Sequence, residues 1–171
     1  MVSLNKRFSF NEDKAIETIV YVASKAPIPD VYHLAKICYF ADLLHMQRFG
    51  RPIFGDVYIK MENGPVPSKI YNLFKAVRDF SDHKLVSEFS VQGRITIKAL
   101  RDYDEDEFSA SDLICLNESI ETHGTKTFKQ LKDESHDSAW ESAQDNREIE
   151  YVEMIKTLPN GEDLIRHLSY C

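Results

Sequence analysis

The sequence has 171 residues, of which 43% are hydrophobic and 29% are charged, and its formal net charge is −7. This composition is typical of one globular domain with an ordinary core, and it argues against a disordered chain or a solenoid. The longest apolar stretch, residues 37–44, is far shorter than the roughly 20 residues of a membrane span, and residues 1–10 lack the apolar centre of a secretory signal. We therefore expect a cytoplasmic protein without a membrane partner, folded as a single domain over residues 1–171.

Two helices are predicted in the first fifty residues. Asn11, followed by two acidic residues, has the features of an N-cap, and the helix that it begins ends near Pro27. Asp30 opens a second helix, which is apolar almost all round over residues 37–44, as expected of a central buried helix. Gly50 supplies the left-handed cap that ends it.

Residues 50–67 contain three of the six glycines and three of the six prolines. This composition predicts a shaped loop around a short extended piece at residues 57–61. Pro67 fits the first turn of a third helix. That helix carries an apolar stripe predicted to lie in the core: Ile70, Leu73, Phe74, Val77 and Phe80.

The pattern changes to a period near two over residues 84–100, which predicts a β-hairpin around Gly93. A three-residue loop of residues 91–93 would place Phe89 opposite Ile95 and Leu85 opposite Ala99, whereas a two-residue loop would set Phe89 against Thr96. We prefer the three-residue loop, because it keeps the apolar side chains on one face.

Further helices are predicted in the second half. The acidic run 102–107 indicates a solvated connector, and Ser109 or Ser111 can cap the helix that follows and ends at Gly124. A short helix is then expected around Leu131.

Ser138 and Glu141 have the spacing of a capping box, which predicts a new helix from Ser138. Residues 147–168 indicate one or two helices broken near Pro159. The predicted fold class is therefore α+β, mainly α-helical: a compact helical domain with a small antiparallel β-hairpin or sheet.

Charge is divided unevenly along the chain. Residues 1–80 carry 11 Lys and Arg against 8 Asp and Glu, whereas residues 81–171 carry 10 against 20. A half with a net charge of −10 disfavours contact with nucleic-acid phosphates and suits a basic protein surface. Solvation alone also explains many acidic faces, so both interpretations stay open.

No motif of an enzyme is present. The sequence lacks the glycine patterns GxxxxGKS/T, GxGxxG and GxSxG and the zinc motif HExxH, and no histidine or cysteine stands at a metal-site spacing. Cys38 and Cys115 lie in apolar helical segments, where a cysteine acts as a small hydrophobic residue. We therefore predict no catalytic residue, no metal and no cofactor, and a protein that is not an enzyme.

Two stretches resemble the Panacea domain of the SocA-like antitoxins. The first comprises KICYFADLLH at residues 36–45, GRPIFGDVY at 50–58 and MENGPVP at 61–67; the second is SHDSAW within residues 131–143. The resemblance extends over about residues 11–156 and leaves residues 157–171 as a helical tail.

This resemblance implies an antitoxin of a bacterial or phage toxin–antitoxin system, which neutralises its cognate protein toxin by direct contact. In the SocA branch the antitoxin instead delivers its toxin to a protease, which makes a proteolytic adaptor the alternative. Some relatives add a helix-turn-helix for DNA, but the 171 residues leave no room for one, so no direct nucleic-acid partner is expected.

Candidate partner-binding residues lie mainly in the glycine- and proline-rich loop. Arg51 and Asp56 flank a tight turn, where they can pair to pin the loop, or Arg51 can reach a carboxylate of the partner. Tyr58, Met61 and Val66 lie on a rigid frame that would expose apolar anchors, although Met61 can also fill core space.

The second group of candidates surrounds the only tryptophan. Trp140 can serve as a core residue or as an interface anchor. His136 can bond the exposed amides of the next helix, pack on Trp140, or act as a base beside Asp137 or Glu134, which is the basis of a less favoured reading as a small hydrolase. The complete set of predicted partner-binding residues is Arg51, Asp56, Tyr58, Met61, Glu62, Val66, His136 and Trp140.

Overall fold

The computed structural model describes residues 4–170, with helices that alternate with two short β-hairpins. The helices are α1 (Leu4–Arg7), α2 (Glu12–Lys25), α3 (Val31–Phe49), α4 (Ser68–Arg78), α5 (Ala110–His123), α6 (Phe128–Ser135), α7 (Ser138–Ser142), α8 (Tyr151–Lys156) and α9 (Gly161–Tyr170). The strands are β1 (Tyr58–Met61), β2 (Gly64–Pro67), β3 (Phe89–Gln92) and β4 (Thr96–Ala99). The predicted mainly helical α+β class is confirmed.

Helix α3 lies at the centre and is capped as predicted. The Asp30 side chain accepts a hydrogen bond from the His33 amide, and Gly50 adopts φ +73° and donates its N–H to the Met46 carbonyl. One side of α3 contributes Ile37 to a core shared with α2, α4, α5 and the β3–β4 hairpin. Its other side contributes Tyr39 to a second core formed with α7, α8 and α9. The apolar run in the sequence thus reflects burial on two sides of one helix.

The β1–β2 hairpin extends the predicted short strand by a second one. Tyr58 pairs with Pro67 and Met61 with Gly64, and the other edge of β1 bonds the segment before α8. There the Lys60 amide donates to the Arg147 carbonyl, and the amide of residue 149 donates to the Tyr58 carbonyl, both over distances of 2.8–2.9 Å. Because β1 is held along both edges, the hairpin has a fixed position.

The predicted register of the β3–β4 hairpin is wrong. Phe89 lies opposite Ala99 and Gln92 opposite Thr96, so the loop consists of residues 93–95. Gly93 and Arg94 both have positive φ values, which place the turn two residues later than expected.

Contacts with the linker between α2 and α3 explain this shift. The Ile95 carbonyl accepts a hydrogen bond from the Val31 amide, and the Ile97 amide donates to the Pro29 carbonyl. These bonds fix β4 against the linker and leave Ile95 exposed, while Leu85 lies in a 3₁₀ turn instead of a strand.

Two further local predictions need correction. Helix α7 begins at Ser138 as predicted, but its N-cap is Asp137, whose carboxylate accepts the Trp140 amide, so the Ser138–Glu141 capping box is wrong. The buried stripe of α4 stops at Val77, and Phe80 is 77% exposed. Phe80 lies beyond the last helical residue with φ +53°, so the helical period no longer applies to it.

Phe74 and Phe80 give a matched pair for testing this packing. Phe74→Ala removes a fully buried ring and should lower the free energy of unfolding by about 3–5 kcal/mol. Phe80→Ala should change it by less than about 0.5 kcal/mol. Urea unfolding of the two variants measures both values, and similar losses would contradict the position assigned to Phe80.

Candidate functional site

The loop after α3 is organised by the buried carboxylate of Asp56. Its oxygens accept hydrogen bonds from the amides of Val57 (2.6 Å), Lys69 (2.9 Å) and Ile70 (2.9 Å). Two of these amides belong to the first turn of α4, whose N-cap residue, Pro67, has no capping side chain. Burial raises the pKa of Asp56, and the amide donors partly offset that effect. Asp56 therefore joins the loop to the start of α4.

The predicted pairing of Arg51 with Asp56 is wrong. Arg51 donates to the Pro52 carbonyl at 3.1 Å, and its other terminal nitrogen lies 3.3 Å from the buried carboxylate of Asp112 at the start of α5. Lys14 binds the same carboxylate at 2.7 Å. Arg51 therefore supports the junction of α5 with the loop, and its side chain remains 43% exposed.

Tyr58 lies in the core, so its predicted exposure is wrong. Its hydroxyl donates to Asp42 of α3 at 2.8 Å, and the other oxygen of Asp42 accepts the Ile53 amide at 2.6 Å. Burial raises the pKa of Asp42 to about 7. Tyr58 and Asp42 thus fasten the hairpin and the loop to the central helix.

Three other candidates lie at the surface of the β1–β2 hairpin. Met61, at the end of β1, is 38% exposed, Glu62 is exposed in the turn, and Val66 on β2 is half-buried. We call Met61, Glu62 and Val66 the hairpin surface. The structure brings these three predicted residues together, and their contact with a partner stays a prediction.

Trp140 forms a half-buried stack beside the hairpin. The His136 ring lies 3.7 Å from it in a nearly parallel arrangement, and the Lys60 ammonium lies 4.2 Å from the ring centroid. The indole N–H donates to the Met61 carbonyl at 2.9 Å. The stack therefore fixes the end of β1 through the hydrogen bond to the Met61 carbonyl.

This arrangement confirms the packing alternative for His136. Burial lowers the pKa of the imidazole. Asp137, the acid next to it, accepts hydrogen bonds from the Tyr39 hydroxyl and the Trp140 amide. Within residues 4–170 no group of His, Cys, Asp and Glu side chains is arranged to hold a metal ion, and no helix has the length and apolar character to cross a membrane.

Sequence reasoning missed a buried lysine beneath the hairpin. The Lys36 side chain has no exposed surface, donates to the Pro65 carbonyl at 3.0 Å and lies 4.6 Å from the Tyr32 ring centroid. No carboxylate among the described residues forms an ion pair with it. Burial lowers its pKa to about 7. A lysine directly before the apolar run 37–44 of the central helix was the signal in the sequence.

Lys36 adjoins a cavity of about 260 Å³, which we call the Lys36 cavity. Gly64 leaves the room that this amine occupies: a Cβ at Gly64, where φ is +116°, would lie 3.0 Å from Lys36 Nζ and 2.5 Å from Ser135 Oγ. The cavity lies between the start of α3, the hairpin and α4. Its lining residues are Val31, Tyr32, Ala35, Lys36, Met61, Glu62, Asn63, Val66 and Tyr71.

Comparison with known families gives one match. The family described as "Antitoxin SocA-like, Panacea domain" matches residues 34–141, from α3 to α7, so the predicted resemblance is confirmed. The matched range includes Lys36, the hairpin surface and Trp140. No curated protein and no solved structure matches the chain.

Alanine substitutions separate the roles of Asp56 and Arg51. Asp56→Ala leaves three amides without their acceptor and should lower the free energy of unfolding by about 2–3 kcal/mol. Arg51→Ala removes a partly exposed contact and should cost less than about 1 kcal/mol. Thermal and urea unfolding measure both changes. Equal losses of unfolding free energy would indicate that Arg51 and Asp56 act as a pair after all.

The buried amine should make stability depend on pH. Because the pKa of Lys36 is lowered on folding, the unfolded chain binds the additional proton between about pH 7 and 10, and stability contributed by this group rises over that range. Lys36→Met removes the titration. The wild type should gain about 1–3 kcal/mol of unfolding free energy between pH 7 and 9 that the variant does not gain. Urea unfolding of both proteins at the two pH values measures this difference.

The exposed Lys98 is the control for this titration. Lys98→Met should show a pH-independent difference from wild type. A constant difference for Lys36→Met as well would mean that the Lys36 amine stays protonated throughout.

Proposed function

This chain belongs to the family of SocA-like antitoxins with a Panacea domain, and we propose that it neutralises a cognate protein toxin in the cytoplasm by binding it directly. The proposal includes no cofactor and no reaction catalysed by the chain.

The observation that carries the proposal is the rigid, partly apolar hairpin surface. Met61 is exposed at a strand end whose carbonyl is held by the Trp140 indole, and the next residue of β1 inward, Lys60, is bonded to the segment before α8. A preordered surface loses little conformational entropy on association. Exposed methionine beside a concave apolar cavity is suited to act as an interface anchor.

Charge supports a protein partner with a basic surface. The chain carries a net charge of −7, and its second half carries −10. A toxin that acts on RNA or on nucleotides needs a basic active site, and an acidic antitoxin would be attracted to that site. Association should then be fast and should slow as salt is added.

The test of the proposal begins with the partner. The tagged chain is used to capture bound proteins from its source cell, and each captured protein is expressed with and without the chain. A partner that stops growth alone and is harmless when co-expressed supports neutralisation. If every captured protein is harmless alone, the proposal fails.

The amount of toxin in the rescued cells distinguishes two mechanisms. Direct neutralisation leaves the toxin present in a stable complex. Delivery to a protease, which is the mechanism of a proteolytic adaptor, shortens the half-life of the toxin instead. Immunoblots after synthesis is stopped measure that half-life.

A charge placed on the hairpin surface should weaken the interaction with the toxin without unfolding the protein. Met61→Glu is expected to raise the Kd for the toxin by at least about tenfold, because it puts a carboxylate where an apolar contact is proposed. Phe80→Glu, at an exposed aromatic residue two positions beyond the end of α4, is the matched control and should change Kd by less than about twofold. Equal effects of the two substitutions would contradict the hairpin surface as the interface.

A further inference from the structure

Lys36 is a buried amine without a counter-charge. Its amine makes one hydrogen bond, to the Pro65 carbonyl, and faces the Tyr32 ring. Among the described residues no acid forms an ion pair with it, and the one acid that lines the cavity, Glu62, is exposed at the rim. An ammonium ion in a low-dielectric site attracts an anion far more strongly than it would in water. The site therefore lacks a negatively charged group.

The walls of the cavity indicate which other groups a ligand needs besides a negative charge. Val31, Ala35, Val66 and Tyr71 present mainly apolar surface, and the volume of about 260 Å³ suits one residue, not an extended segment. An Asp or Glu side chain would supply the charge but would leave the apolar walls uncovered. An apolar residue at the end of a chain supplies both groups, because its carboxylate and its side chain are attached to the same Cα.

We propose that the Lys36 cavity binds the C-terminal residue of the toxin, with an apolar side chain against the walls and the terminal carboxylate paired with the Lys36 ammonium. The identity of the partner as a toxin rests on the proposed function. The chemistry of the cavity does not depend on it.

Access to the amine requires a neighbouring group to move, because Lys36 has no exposed surface in the free protein. The Tyr32 ring, whose centroid lies 4.6 Å from the amine, lines the cavity and is the group that this proposal requires to move. That ring is held by a hydrogen bond from its hydroxyl to the Asn63 carbonyl at 2.8 Å and by contact with Phe128, which is 48% exposed. Breaking one hydrogen bond near the surface costs little, because water replaces it.

Small probes test the cavity without the toxin. N-acetyl-phenylalanine, with a free carboxylate, and N-acetyl-phenylalanine amide, which is neutral, are titrated into the isotope-labelled full chain and followed by NMR. The acid should bind at least about tenfold more tightly than the amide, a difference of about 1.4 kcal/mol. The Lys36 Cε signal should move with the acid and not with the amide.

Variants then assign the effect to Lys36. Lys36→Met keeps the length of the side chain and removes its charge, so the preference for the acid should disappear. Lys98→Met removes an exposed charge and should retain the full preference. If Lys36→Met does not fold, the comparison of the two probes on wild type and the Lys36 Cε signal still decide the question.

Equal affinities of acid and amide for wild type, or a preference that persists in folded Lys36→Met, would overturn the proposal. These outcomes are separate from the growth test of the proposed function. A chain that rescues growth but does not distinguish the probes is an antitoxin that uses another contact. A chain that prefers the acid but has no toxic partner has the carboxylate site and a different role.

Discussion

Two buried carboxylates fix the loop that carries the hairpin surface to the helices on either side of it. Asp42 on α3 binds the Ile53 amide and the Tyr58 hydroxyl, and Asp56 binds the amides that open α4. Without these acceptors, the buried amides of Ile53 and Ile70 would have no hydrogen-bond partner, which costs about 1–3 kcal/mol for each of them. The path of residues 50–70 over the central helix therefore depends on two acids whose hydrogen bonds, within residues 4–170, go to amides and a hydroxyl and not to a cation.

The position of the hairpin surface follows from that arrangement. Tyr58 anchors the start of β1 in the core, and the Trp140 indole holds the carbonyl at its end. Strand β2 is also fixed by a side chain, because the Pro65 carbonyl accepts a hydrogen bond from the Lys36 amine. The exposed residues of the hairpin, the buried amine and the cavity between them thus belong to one rigid unit.

The elements that could be predicted from the sequence are those with local causes. The caps of α2 and α3, the glycine that ends α3 and the start of α7 depend on residues within four positions of one another, and all are confirmed. Two local predictions, the Ser138–Glu141 capping box and the burial of Phe80, are wrong. The other errors involve distant partners. Arg51 binds Asp112 instead of Asp56, and the β3–β4 register is set by bonds to the linker before α3.

The candidate site was predicted only in part, because some of its features have local causes and others depend on distant contacts. The glycines and prolines of residues 50–67 indicated a rigid frame, and Met61, Glu62 and Val66 do lie together on it. Strand β2 was missed because prolines are rare in strands, and neither its pairing with β1 nor the Lys36 bond to Pro65 follows from the local sequence.

Lys36 itself is poorly explained by a structural role. Its one hydrogen bond to Pro65 contributes about 1–2 kcal/mol, whereas burying the amine without a counter-charge, which lowers its pKa to about 7, costs several kcal/mol. A methionine would fill the same space among Tyr32, Gly64 and Ser135 without that cost. A charge that lowers the stability of the free protein is better explained if a bound carboxylate recovers the loss, because the cost of burying the cation then becomes selectivity for a partner that brings the missing anion.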